Sequence, residues 1–361
     1  MLPKKVGPMP KPPDHQKENP DSLAGEIGVQ GIEALPAKVV RYSKAKKGAL
    51  DVADYMATIP EYQAMAQKVY GCGDYLAFRH YYTVDKVRLH GASLCRKHLL
   101  CPLCAIRRGA KALKAYADRY EVIKAEKPHL RPFLVTLTVK DGPDLEERFK
   151  HLSNSQHELW KQRHRHYASP FDTIEGAVWS YEIKRGTGSG EWHPHLHMIA
   201  LAEHQPQHAW LSDVWHKITG DSYIVDVRPI NEDDHIGGFM EVFKYAVKFS
   251  DQPPADTVHA WQTLGGKRLL GSSGVFRGVE VPYDLMDDPE GFNNLPYVTL
   301  FYRYLAGRGY SFSKRSEGVE PNRKERLHSK AKAPKEPSYN KAQFLAALHF
   351  QKQPKQINLK L

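Results

Sequence analysis

The 361-residue chain lacks any long apolar run, and it has only four cysteines. A segment that crosses a bilayer needs about 20 consecutive apolar residues, so we expect no transmembrane helix and no membrane partner. The first 20 residues are rich in proline and lack the apolar core of a secretory signal. Four cysteines are also too few for a disulfide scaffold. These absences predict a soluble, intracellular protein of the cytoplasm.

What the chain has in excess is positive charge. It contains 52 Lys and Arg against 41 Asp and Glu, a net charge of +11. Residues 314–361 hold 12 basic and 4 acidic residues and therefore contribute +8 of that charge. Their composition predicts a basic, mostly disordered tail at 313–361, and the proline-rich residues 1–50 predict a second tail. Each tail is either a solvated linker or an arm that engages DNA.

The residues between the tails show the periodicity of an α+β fold. A helical pattern at 55–70, a hairpin pattern at 75–90 and a basic helix at 105–124 fall in a predicted subdomain, residues 51–130. The second predicted domain, 131–312, reads strand, helix, strand, strand, helix, strand, helix. This order favours a central antiparallel sheet with helices on one face.

The strongest chemical pattern is a strand with three histidines at alternate positions. His193, His195 and His197 point to one face, because side chains alternate along a strand. Imidazoles at i and i+2 can hold one divalent ion. Glu182, on the preceding strand, falls opposite His195 if the hairpin is regular. Two histidines and a carboxylate with open positions suit a catalytic ion, and the alternative is a set of surface histidines on an edge strand.

A helical segment at 241–248 carries the second chemical pattern. Glu241 and Tyr245 share one helix face, and Lys248 lies three residues further on. A tyrosine hydroxyl can attack a phosphodiester and keep the bond energy in a phosphotyrosine link. A carboxylate can then activate water as a general base. Without the histidine strand, this segment is also typical of an ordinary amphipathic helix.

All four cysteines, Cys72, Cys95, Cys101 and Cys104, fall within 33 positions. Four thiolates suit tetrahedral zinc in a closed structural site. His98 is an alternative fourth ligand if Cys72 does not take part. A redox pair formed by the last two cysteines and four unliganded thiols remain open as alternatives.

The helix after the cysteines has a basic side made of Arg107, Arg108, Lys111 and Lys114. We expect these side chains to lie along a phosphate backbone. A zinc ion would then fasten the 75–90 hairpin to this helix. A solvated basic face is the alternative interpretation.

Residues 133–139, 193–197 and 241–248 resemble, in that order, the three motifs of the HUH endonucleases. More narrowly, the chain resembles the single-tyrosine plasmid rolling-circle replication initiators, or Rep proteins. Residues 265–271 resemble a further segment common in those initiators. The resemblance covers about residues 70–280, and it implies an HUH-type fold with an added zinc-binding subdomain.

The resemblance also implies an activity and its residues. The protein would nick and rejoin single-stranded DNA at a plasmid origin through a 5′-phosphotyrosine intermediate. His195 and His197 would hold Mn²⁺ or Mg²⁺ with Glu182, and His193 would be a further ligand or a neighbour. Tyr245 would be the nucleophile, Glu241 would end the round by activating water, and Lys248 would steady the phosphate, with Lys244 as a further DNA contact.

The expected partners are origin DNA, single-stranded or as a hairpin, and host proteins. The chain has no Walker loop, so the resemblance implies a host helicase, a host polymerase and a single-strand binding protein. Two alternatives remain: an HUH transposase or mobilisation relaxase with the same chemistry, and a non-catalytic zinc-containing regulator that binds DNA. The tyrosine follows the histidines, whereas conjugative relaxases usually place their tyrosine first.

Overall fold

The computed structural model describes Glu26 and residues 31–163, 168–243, 252–288, 291–292 and 295–317. This part contains seven α-helices and nine strands. The helices are α1 Leu35–Ala57, α2 Gln63–Tyr70, α3 Pro102–Glu126, α4 Leu145–Gln162, α5 His208–Thr219, α6 His235–Phe243 and α7 Pro254–Leu264. The strands are β1 Tyr75–Tyr81, β2 Lys86–Ala92, β3 Arg131–Thr138, β4 Ile174–Arg185, β5 Trp192–Ala202, β6 Val225–Pro229, β7 Leu270–Gly274, β8 Val298–Leu305 and β9 Gly309–Glu317.

A five-stranded antiparallel sheet has the strand order β6-β3-β5-β4-β7, with β5 at its centre. Leu196 and Met198 of β5 pack into the core formed with α4 and α5. Ile199 and Leu201, on the other face, pack into a second core with α3 and α6. The helices therefore cover both faces, and the prediction of helices on one face is wrong. The reason is that β5 is apolar on both sides, as strands buried on both faces are.

Strand β7 closes one edge of this sheet and comes from the glycine-rich segment near residue 270. It pairs with β4 through Gly274 and Gly176. Gly274 has φ +58°, and a Cβ at this position would collide with the carbonyl oxygen of Glu175. A side chain is thus excluded both by the backbone conformation and by the close approach of β4.

A second antiparallel sheet has the order β2-β1-β8-β9. The predicted hairpin forms its first two strands, and β8 pairs with β1 from more than 200 residues further along the chain. One face of this sheet packs on α1, where Tyr42 stacks against Phe78 with ring centroids 6.4 Å apart. Residues 281–312, whose role the sequence alone does not indicate, contain β8 and the first part of β9, the two strands that complete the sheet.

The ordered body extends beyond the predicted tail boundaries at both ends. Helix α1 begins at Leu35 and strand β9 ends at Glu317, so disorder is wrong for residues 35–50 and 313–317. The cause at the first boundary is an apolar helix face that includes Val39, Tyr42 and Ala49, all buried. Apart from Glu26 and residues 31–34, the remaining tail residues lie outside the described part. None of the described helices has the length and hydropathy of a membrane span.

The predicted division into 51–130 and 131–312 stays a prediction. The described strands nevertheless connect the two segments, because β8 belongs to the second segment by sequence and pairs with β1 of the first.

Candidate metal centres

The sheet register brings three of the predicted ligands together. Glu182 on β4 pairs directly with His195 on β5, as the regular hairpin predicted. His195 and His197 are only 4% and 7% exposed, and Glu182 is also buried. Strand β5 is the central strand, so the alternative of surface histidines on an edge strand is wrong.

The three side chains converge on one carboxylate oxygen. Glu182 Oε2 contacts Nε2 of His195, and it lies 3.1 Å from Nε2 of His197. The two imidazole rings have centroids 4.7 Å apart and are nearly perpendicular. One ligand atom from each residue lies within 4.8 Å of the others. This spacing fits a two-histidine, one-carboxylate metal site, since all three donors can reach a single ion.

The other ring nitrogen of each histidine faces an oxygen. His197 Nδ1 lies 3.2 Å from the hydroxyl of Thr136 on β3, and His195 Nδ1 lies 3.4 Å from the His193 carbonyl. With the ring proton assigned to Nδ1, each histidine donates there and leaves the Nε2 lone pair for an ion. Thr136 was not identified from the sequence, although the strand pairing aligns it with His197.

The electrostatics favour the ligand-competent protonation states. Burial raises the pKa of Glu182, but hydrogen bonds from His195 and His197 and the charges of His195 and Lys184 lower it by more, so the net pKa lies well below its usual range. Burial lowers the pKa of His197. An ionised carboxylate beside a neutral imidazole is the state that binds a divalent cation.

His193 has a different environment from the other two histidines. Its ring lies 5.1 Å from that of His195, but its Nδ1 hydrogen-bonds to the carboxylate of Asp141. The other oxygen of Asp141 accepts from the Ser189 hydroxyl. His193 is therefore a neighbour of the three-residue cluster and is not part of it. Sequence reasoning missed Asp141, whose only signal is its position just after β3.

The last described turn of helix α6 packs on the sheet next to the histidine strand β5. Phe239, Val242 and Phe243 are fully buried, and the Val242 carbonyl accepts a hydrogen bond from Ser180, the residue that pairs with His197. Burial lowers the pKa of His197, and the negative charge of Glu241 acts in the opposite direction. Glu241 is therefore on the histidine side of the helix. The other predicted residues of this segment, Lys244, Tyr245 and Lys248, lie outside the described residues and follow Phe243 in the sequence.

The four cysteines form a second cluster of ligand atoms. Sγ of Cys72 lies 3.5 Å from those of Cys101 and Cys104, and Sγ of Cys95 lies 3.6 Å from that of Cys104. A tetrahedron with Zn–S bonds of about 2.3 Å places the sulfurs about 3.8 Å apart. The backbone amides of Cys95 and Arg96 each donate to a cluster sulfur at 3.3 Å. The arrangement fits four thiolates around one ion, and His98 is not a member of the group.

Arg107 of α3 corrects the predicted DNA-binding face. Its side chain is 1% exposed, and it forms ion pairs with Glu26 and Asp287 and donates from Nε to the Leu285 carbonyl. A side chain buried in this way cannot contact a phosphate, so the DNA-contact prediction for Arg107 is wrong. Its acidic partners are far away in the sequence, and no local pattern indicates them.

The other three basic residues of α3 differ in exposure. Arg108 donates to the Pro282 carbonyl at 2.9 Å, and Lys111 is half-buried. Lys114 is exposed and pairs with Asp118 one turn later, with 2.6 Å between Nζ and Oδ2. Their contact with DNA stays a prediction.

A family profile described as "Replication protein" matches residues 86–296, which is more than half of the chain. A relative named Protein rep, from a Bacillus species, is 24% identical over 268 residues, which cover 64% of this chain and 85% of the relative. Protein rep of Streptococcus pneumoniae is 25% identical over 265 residues, 67% of this chain and 79% of the relative. No solved structure matches the chain.

The matched region contains the cysteines at 95–104, the histidine strand and helix α6. It therefore holds both ligand clusters apart from Cys72, which precedes it. The chain belongs to this replication protein family, the rolling-circle replication initiators or Rep proteins.

Proposed function

We propose that this initiator nicks and rejoins single-stranded DNA at a plasmid origin, with Tyr245 as the nucleophile. The observation that carries the proposal is the buried cluster of Glu182, His195 and His197 on the central strands. Helix α6 packs over the same face of β5 and leads in the sequence directly into Tyr245. A non-catalytic regulator would not need a buried carboxylate and two imidazoles converging at a position with open coordination.

The ligand set suits a divalent ion such as Mn²⁺ or Mg²⁺. Glu182 offers an oxygen and each histidine offers Nε2, and a set of three ligands leaves positions free for substrate oxygens. An ion bound there would act as a Lewis acid toward the scissile phosphate. Thr136 and the His193 carbonyl orient the two rings through Nδ1.

The covalent step belongs to the tyrosine. The Tyr245 oxygen forms a bond to phosphorus, the bond from phosphorus to the 3′ oxygen breaks, and the tyrosine loses its proton. The 3′ oxygen takes up a proton and becomes a primer end. Lys248 and Lys244 supply positive charge for the phosphate, and Glu241 takes a proton from water or a second hydroxyl when the round ends.

The cysteine cluster would hold zinc in a structural role. Four sulfurs drawn from the end of α2, the segment after β2 and the start of α3 surround one centre. An ion there would fasten the β1–β2 hairpin to α3 and would leave no open position for substrate.

The expected partners follow from this reaction. The protein would bind origin DNA as a single strand or a hairpin loop in the cytoplasm. The free 3′ end would be extended by a host polymerase, together with a host helicase and a single-strand binding protein.

The test is a cleavage assay with the full-length chain. Single-stranded oligonucleotides that tile the plasmid segment next to the gene are incubated with Mn²⁺, Mg²⁺ or neither ion. The wild type should nick one sequence and leave a covalent adduct, which mass spectrometry maps to Tyr245. Tyr245→Phe should give neither product, whereas Tyr223→Phe, at an exposed tyrosine, should act as the wild type. Nicking with an adduct by Tyr245→Phe would overturn the proposal.

A further inference from the structure

The four-stranded sheet has one face that α1 does not cover. Its inward residues include Leu76, Phe78 and Leu89, all fully buried. The alternate residues form the opposite side, which we call the outer face. Its half-buried or exposed large side chains include Tyr75, Arg79, Arg88, Phe301, Arg303 and Lys314. Tyr81 also belongs to this side, but it is buried beneath the rings of Phe292 and Tyr297.

The outer face places positive charges close together, which lowers the stability of the sheet. Arg79 on β1 pairs directly with Arg88 on β2, and like charges directly opposite each other destabilise a sheet. The Nε atoms of both arginines are buried and have no hydrogen-bond partner among the described residues. No described strand residue that points to this face is acidic. The protein thus holds two cations together without a carboxylate from those strands.

Aromatic rings alternate with these cations. The guanidinium of Arg79 lies 4.3 Å from the ring centroid of Tyr297, and that of Arg88 lies 5.2 Å from that of Phe292. Lys314 Nζ lies 4.9 Å from the Phe301 ring centroid. Tyr75, which pairs with Arg303, is 45% exposed. Cations beside accessible rings on a sheet are suited to phosphates and unpaired bases at the same time.

We propose that the outer face binds single-stranded DNA. The phosphates would contact Arg79, Arg88, Arg303 and Lys314, and bases would stack on Tyr75 and Phe301. A single strand fits better than a duplex because bases can stack on rings in a sheet only when they are unpaired. The chain's own C-terminal residues are a poor occupant, since they are themselves strongly basic. The binding is independent of the nicking chemistry, although its use at the origin rests on the proposed function.

The first experiment measures the affinity of the full-length protein for a fluorescein-labelled oligothymidine over a range of salt concentrations. Replacing Arg79→Gln and Arg88→Gln together should weaken binding about tenfold and reduce the salt slope by about 1.4, as expected for two lost phosphate contacts. Arg315→Gln is the matched control, because Arg315 is adjacent to Lys314 but pairs with Leu300 on the opposite face. It should bind as the wild type does.

The second experiment needs no variant and so does not depend on folding of a mutant. Oligothymidine carrying bromodeoxyuridine is crosslinked by ultraviolet light to the unmodified protein, and the adducts are mapped by mass spectrometry. Crosslinks should fall on Tyr75 or Phe301. Affinity and crosslinks are both measured without added Mn²⁺ or Mg²⁺, so that no nicking is required and failure of this proposal is separate from failure of the nicking proposal.

Three outcomes would overturn the assignment. The first is an equal loss of binding in Arg315→Gln and in the double variant, and the second is an absence of crosslinks on β1 and β8. The third is a double variant that loses self-association in sedimentation but keeps its affinity for the oligonucleotide, which would make the face an interface between copies. A loss of affinity that is as large for a duplex of the same length would contradict the preference for single strands.

Discussion

The two ligand clusters differ in how the fold holds them. Glu182, His195 and His197 come from two adjacent central strands, so backbone hydrogen bonds fix their spacing before any ion binds. The cysteines come from helix ends and the segment after β2, where no sheet ladder fixes them. The first cluster has three mixed donors and open positions, and the second has four sulfurs that close a tetrahedron. We therefore expect the histidine cluster to affect activity and the cysteine cluster to affect folding stability.

Substitution in the histidine cluster should have the largest effect, and it should lower the nicking rate without changing stability. His195→Ala removes a ligand on a strand that remains paired on both sides. Loss of several kcal/mol of transition-state stabilisation predicts a fall in nicking of about 1,000-fold. The thermal midpoint should change little, which differential scanning fluorimetry can check. His193→Ala is the matched control and should lose far less activity, and equal losses would contradict the three-residue ligand set.

Substitution in the cysteine cluster should mainly lower the stability of the fold. Cys104→Ser removes one of four ligands at the start of α3, and a structural zinc site contributes directly to folding free energy. We expect the thermal midpoint to fall by about 10 °C and the bound zinc, measured by release to a colorimetric chelator, to be lost. A wild-type protein without bound zinc, together with a Cys104→Ser variant that keeps the wild-type midpoint, would contradict the structural role of this cluster.

The buried carboxylate of Asp287 stabilises the fold by an ion pair with α3 and needs no metal. Burial raises the pKa of Asp287, but the charges of Arg107 and Lys38 lower it by more, so the pKa lies well below its usual range. Asp287→Asn leaves Arg107 short of a partner, and we expect a loss of about 3 kcal/mol in the free energy of unfolding at pH 7.

The same variant has a predicted pH dependence. Because the folded pKa of Asp287 is lowered, its contribution is complete above its ordinary pKa of about 3.9 and disappears as the pH falls towards the folded value. The gap in urea stability between wild type and Asp287→Asn should therefore be constant from pH 8 to about pH 5 and should shrink in more acidic buffers. A gap that widens on acidification would contradict this assignment.

The smallest effect, on metal affinity, should come from substitution of Thr136, the residue that orients His197. Thr136→Val removes the hydroxyl that lies 3.2 Å from Nδ1 and keeps the shape of the side chain. Loss of such an orienting contact typically costs about tenfold in metal affinity, which a Mn²⁺ titration of nicking would measure. Thr138→Val, at a residue that donates to the Ile224 carbonyl instead, is the control and should leave the titration unchanged.

The sequence predicted those parts of the site that depend on local geometry. The turn between β4 and β5 is short, so the register that aligns Glu182 with His195 follows from the hairpin itself. The cysteine group is similarly local, since Cys95, Cys101 and Cys104 fall within ten residues.

The predictions that were wrong concern residues whose contact partners are far away in the sequence. Arg107 looked like a surface cation because its partners Glu26 and Asp287 are 81 and 180 positions away. The pairing of β1 with β8 was missed for the same reason, since each strand reads only as a short apolar and aromatic run. The helices on the second face of the central sheet were not predicted. The histidines made this face of β5 look polar, although Ile199 and Leu201 further along the same face are apolar and buried.

The pairing of β1 with β8 also sets an order of events during synthesis on the ribosome. All five strands of the histidine sheet have left the ribosome once residue 274 has emerged, whereas β1 must wait for residues 298–305. Until then one edge of β1 carries unpaired amides and carbonyls, an exposure that favours aggregation. A nascent chain that stalls between these points would hold a complete histidine sheet together with an incomplete second sheet. Chaperone dependence should therefore be greatest while residues 275–317 are being synthesised.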